Sequence, residues 1–259
     1  MESRNPAFRG DSFRQQRQAY TPTAGQLQDM YQAPAYVRPM TMDDVVVRGF
    51  LTLATLIAGA ALSWVLVPVA SAGPVLLLAL VLEIGIWAVI TFGRKANAPL
   101  VLSFAAVYGV AVGIISHAYN DAYHGVVMQA VIGTALAFAA MLAVHTFKII
   151  RVTPRFTRFV IAAGFALIGL MLINLIAAVF GAQDGIGIRD PHNPLAYAFS
   201  VVAILVGCFF LLLDFDAVEK GVEQGAPENF AWYCAFGIVL SLVWIYLELL
   251  RLLSYLNRR

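Results

Sequence analysis

Seven stretches of this chain are each long and apolar enough to cross a lipid bilayer, which leaves few folds open to it. A hydrocarbon core of roughly 30 Å takes about 20 mostly apolar residues at the rise of an α-helix. Residues 46 to 68, 74 to 93, 99 to 118, 123 to 147, 157 to 181, 194 to 218 and 228 to 256 satisfy that length. Only 12% of the 259 residues are charged and 61% are hydrophobic, whereas a soluble domain carries about 25% charged residues. The expected fold class is an all-α polytopic membrane protein. Turn residues separate the spans: Pro68 with Gly73-Pro74, Asn97 with Pro99, Asn120-Asp121, Pro154, and Pro191 with Pro194. Thr41 and Asp44 have capping-box spacing and predict the start of the first helix.

Residues 1 to 42 are different in kind. Arg4, Arg9, Arg14 and Arg17 lie among glutamines and prolines without helical or strand period, a composition that cannot bury enough surface to order itself. The expected organisation is a disordered tail over 1–42 followed by one membrane domain over 43–259, with no secretory signal ahead of the first span. Loop charge gives the orientation. With seven spans, the N-terminal side collects 13 of the 17 Lys and Arg residues and the far side holds Arg189, Arg251, Arg258 and Arg259. The N-terminus is thus expected in the cytoplasm. A re-entrant last segment would bring the basic C-terminus inside as well, but residues 228 to 256 are long enough to cross. The net charge of +2 comes from tail and loop arginines, so nucleic acid is not an expected partner. The bilayer is, together with other membrane proteins, and the chain is expected to be a monomer. Cys208 and Cys234 each sit in an apolar run and read as small buried hydrophobes.

Ionisable groups at membrane depth are costly and mark functional sites. Glu83 stands in the middle of the second span, and Arg94 follows eleven residues later on the same helical face, roughly 16 Å along the axis. The sixth and seventh spans read as an antiparallel hairpin folded at Pro227. Asp214 lies 13 residues before that fold and Ser241 lies 14 after it, which puts both about 20 Å from the turn. The sixth span runs into Asp214, Asp216, Glu219, Lys220 and Glu223. Either its last turns are a polar extension into water or they are buried in the bundle, and the hairpin count favours burial for Asp214. A buried carboxyl with Arg94 as counter-charge would change charge within roughly pH 5 to 8. Ionised, it would attract a hard cation such as Ca²⁺. Glu248, seven residues beyond Ser241 on the same face, is a further candidate, with an interfacial carboxylate as the equal alternative. His117, His124, His145 and His192 show no ligand spacing. Gln129, Thr134 and Asn174 are expected to bond across helices. No nucleophile motif, P-loop or dinucleotide fingerprint is present, so an enzyme is not expected, nor a cofactor beyond calcium as a permeant ion.

Two stretches carry a family likeness: Met128-Gln129-Ala130-Val131-Ile132-Gly133-Thr134-Ala135 with Phe138, and the end from Leu213-Asp214-Phe215-Asp216 through Trp244-Ile245-Tyr246-Leu247-Glu248-Leu249-Leu250-Arg251. With Val152-Thr153-Pro154-Arg155-Phe156 and Asn5-Pro6-Ala7-Phe8, they resemble the bacterial branch of the Bax inhibitor-1/YccA family, also called TMBIM. The resemblance implies a seven-helix fold with the last helix central, wrapped by the other six, in a bacterial plasma membrane. It also implies a pH-sensitive calcium leak governed by two aspartates on the last two helices. Asp214 matches the first aspartate, while Ser241 stands where the second is expected. Glu83 and Arg94 match the family's second-helix glutamate and arginine. The functional expectation is a pH-sensitive cation leak with Asp214 as gate and transient calcium ligand. The alternative is a non-conducting regulator that binds other membrane proteins.

Overall fold

The computed structural model describes residues 38–93, 96–181, 185–190 and 192–257. The expected disorder of the tail falls almost entirely outside these residues, and so does Arg94. Seven helices follow: α1 Met42–Leu66, α2 Val69–Gly93, α3 Ala98–Ala122, α4 Val126–Thr146, α5 Pro154–Val179, α6 Pro194–Glu223 and α7 Phe230–Leu256. All seven are long and apolar enough to span a membrane. Helices are what lipid demands of spanning segments, because each satisfies its own backbone hydrogen bonds.

Local chemistry sets the starts. Thr41 and Asp44 close a reciprocal capping box on α1. Asn97, Thr153 and Asn193 cap α3, α5 and α6 through their side chains, each with a proline in the first turn, where the missing N–H would have been unsatisfied anyway. Pro74 departs from expectation: it lies inside α2 instead of in the break before it. Near the start of the helix it removes a single N–H bond, the one toward Ala70, and Pro68 alone ends the preceding segment.

α7 occupies the middle of the bundle and packs against α6, α1, α4 and α3, while α2 is held chiefly by α3 and α5 by α6. The last helix is therefore central, with α6, α1, α4 and α3 closest around it and α2 reaching it through Ile90, which packs in one buried cluster with Phe236. α2 and α5 present mostly apolar surface, which lipid covers as well as protein does, so that surface does little to draw them inward. The closest seam is α1 on α3. A Cβ at Gly109 would meet the Leu56 carbonyl, one at Gly113 the Ala60 carbonyl and Ser63 hydroxyl, and one at Gly59 the Ala106 carbonyl. The Gly109/Gly113 pair and the small face Ala58 to Ala61, two separate features in the sequence, thus pack on each other.

The packed unit begins at Pro39. The Met40 N–H donates to the Ala226 carbonyl at 2.8 Å, and its side chain is buried at 2% exposure beside Gly221. Arg48 of α1 reaches the same turn and pairs with Glu228.

Candidate functional site

The α6–α7 hairpin positions the candidate site. α6 stops where Gly225 adopts φ 63°, with the Ala226 N–H bonded to the Gly221 carbonyl and the Gly225 N–H to Val222, the pattern of a glycine-terminated helix. α7 then returns antiparallel. Its Ser241 hydroxyl donates to Asp214 Oδ2 at 2.5 Å, so the register counted from Pro227 brings together the two residues it should. The other carboxylate oxygen lies against Gly237, where a Cβ would come within 2.7 Å of Oδ1. Gly237 therefore lets the α6 carboxylate rest on the α7 backbone.

Beside Asp214 is a cavity of about 220 Å³, bounded on α7 by Cys234, Gly237 and Leu240 and on α2 by Trp87 and Thr91. Glu83 precedes Trp87 and Thr91 by one and two turns, on the same face of α2. Its Oε2 is buried and has no hydrogen-bond partner among the described residues, with Tyr108 of α3 in electrostatic range. An α2 face that carries one buried carboxyl thus continues into the wall of the Asp214 cavity.

Glu248 is held in an ionic cluster of its own. It is 3% exposed. Arg189, from the segment before α6, binds it with both guanidinium nitrogens at 3.1 and 3.0 Å, and Arg251 adds a third contact at 2.7 Å. Arg189 also lies 4.7 Å over the Phe199 ring, and Tyr119 of α3 is in electrostatic range of Arg251. This cluster locks the far end of the bundle.

The acidic end of α6 resolves into two faces. Phe215, Val218 and Gly221 are buried in the bundle. Asp216 pairs with Lys220 at 2.6 Å, and Glu219 takes Lys148 at 2.5 Å and His145 at 3.2 Å. The cross-helix bonds expected of three polar residues are not what forms. Thr134 donates to the carbonyl of Ala130 in its own helix, Asn174 accepts from the Ile186 N–H in a loop, and Gln129 is exposed. Among the described residues no cluster of three His, Cys, Asp or Glu could hold a metal. Sequence reasoning missed Gly237, Arg189 and the partners of His145. Gly237 carried a signal, one turn before Ser241; the Arg189–Glu248 and His145–Glu219 pairings span 59 and 74 residues and left none.

Residues 5–258 match the family model described as Bax inhibitor 1 like. No curated protein matches the chain.

Proposed function

The chain belongs to the Bax inhibitor 1 like family, and on that premise we propose that it is a pH-sensitive cation leak channel whose gate is Asp214 and whose favoured ion is Ca²⁺. The observation that carries the reading is the placement of the Asp214 carboxylate: bonded to Ser241 on one oxygen, set against Gly237 with the other, and opening on a cavity. An ionised carboxylate there is a hard oxygen ligand of the kind Ca²⁺ prefers, and a transient one, because a single carboxylate is far short of the six to eight oxygens of a tight site. Protonated, it no longer attracts the ion. Ser241 contributes a hydroxyl that holds the carboxylate but does not titrate, so the pH response is that of one carboxyl instead of a coupled pair. Glu83 is the polar step along the α2 face; Arg94, expected from the sequence as the counter-charge, lies outside the described residues. The N-terminus is cytoplasmic in this reading and the membrane is the bacterial plasma membrane.

The alternative is a non-conducting regulator that binds other membrane proteins. In its favour is an apolar groove of about 1010 Å³ between α1 and α4, floored by Val239, Leu242 and Tyr246 of α7. Ca²⁺ flux into liposomes between about pH 5 and 8 separates the two. The leak reading expects flux that Asp214→Asn makes indifferent to pH. A protein that passes no Ca²⁺ sinks it and leaves the regulator, and flux unchanged by Asp214→Asn removes the gate.

A further inference from the structure

A second cluster of titratable groups lies at the end of α4, away from Asp214's own contacts. α4 ends in a turn whose N–H groups at Lys148 and Ile149 bond back to His145 and Val144, each at 3.0 Å. Lys148 has φ 51°, a left-handed conformation that is strained for a residue with a Cβ. Such strain persists where surrounding contacts hold it. Here the contact is ionic: the Lys148 ammonium meets both oxygens of Glu219 on α6 at 2.5 Å. His145 Nε2 stands 3.2 Å from the same carboxylate. Its ring is 5.7 Å from Phe215, which Phe138 of α4 meets edge-on at 5.5 Å. α4 therefore grips α6 at Phe215 and Glu219, and Phe215 is the neighbour of Asp214.

We propose that His145, Glu219 and Lys148 form a pH-sensitive latch between the ends of α4 and α6, tightened when His145 is protonated. Histidine is the side chain that ordinarily changes charge near neutrality. Protonated, His145 gives Glu219 a second cation; neutral, it leaves Lys148 to hold the carboxylate. The other charged groups nearby do not compete for this role. Asp216 is paired with Lys220 on α6, Arg48 of α1 with Glu228, and Arg151 beyond the turn is exposed. The α1 and α7 residues that line the groove with His145 carry no charge, among them Met42, Val45, Ile238 and Leu242, and the one phenol, Tyr246, is paired with Ser116 of α3 at 2.7 Å. The latch deepens the leak reading, but its geometry does not depend on that reading.

The test reads distance, not flux. Spin labels at Ile149→Cys and Gln224→Cys, both exposed positions, are placed in protein whose native cysteines are alanine and measured in bilayers at about pH 5.5 and 8. A narrow distribution at pH 5.5 that lengthens and broadens at pH 8 is expected. His145→Gln should make the two distributions superimpose, and Asp214→Asn should leave their difference intact. Lys148→Gly, which relieves the strained turn and leaves His145 as the remaining cation on Glu219, should enlarge the difference. Superimposable distributions in the parent, or a difference that survives His145→Gln, overturns the latch. A difference lost in Asp214→Asn assigns the effect to the gate and overturns it equally.

Discussion

Replacing Glu248 by glutamine separates a structural carboxylate from one on an ion route. The side chain is 3% exposed and sits between Arg189 and Arg251, so the change keeps the shape and removes the only negative charge that the described contacts give these arginines. The amide nitrogen would also face a guanidinium, donor against donor. Breaking a buried ion pair from one side costs about 3 to 5 kcal/mol. The arginines keep side-chain exposures of 19% and 28%, and water reaching them favours the lower end, about 3 kcal/mol. At about 2 to 4 °C per kcal/mol for a chain near this length, Tm should fall by about 6 to 12 °C in thermal unfolding of the detergent-solubilised protein. Ca²⁺ flux, normalised to folded protein, should keep its pH profile. Arg189→Leu combined with Glu248→Leu should recover part of the loss, because an apolar pair of similar volume needs no counter-charge. A Tm within about 2 °C of the parent, or a profile altered by Glu248→Gln, would refute the structural reading and return Glu248 to the route.

Gly109→Ala should destabilise by about 1 to 3 kcal/mol, since its methyl would meet the Leu56 backbone, whereas Gly73→Ala, with nothing within 4 Å of its added carbon, should be neutral in the same unfolding assay. Deleting residues 2–38 should leave the melting temperature nearly unchanged, and extending the deletion through Thr41 should cost at least about 2 kcal/mol by removing buried Met40 and the cap of α1. A reporter fused after Arg259 should be active only on the periplasmic or extracellular side; cytoplasmic activity would mean that α7 does not cross. Ser241→Asp, which sets two carboxyls at hydrogen-bond distance, should steepen the pH response of flux because the pair shares a proton; an unchanged profile would count against the single-carboxyl account of the gate.

What the sequence alone determined is local. Span length and apolarity gave seven helices, Thr41 with Asp44 marked the start of the first, and Asn97 with Pro99, Pro154 and Pro194 marked breaks at which three others start. The Asp214–Ser241 pairing was also legible, because a hairpin with a fixed rise per residue matches depths on its two arms by counting from the turn. Tertiary structure decided the remainder. In lipid an apolar helix face has no preference for protein over acyl chains, so the pattern of Leu, Val and Ile in α2 and α5 did not show that α2 is held chiefly by α3 and α5 by α6. Gly59, Gly109 and Gly113 were visible as small residues, but only the approach of α1 to α3 revealed that each faces a backbone carbonyl. Arg189 with Glu248, and His145 with Glu219, are partners across 59 and 74 positions of chain. A long-range ion pair leaves no spacing to read: its free energy depends on burial and on the distance between charges, and both exist only once the helices have packed.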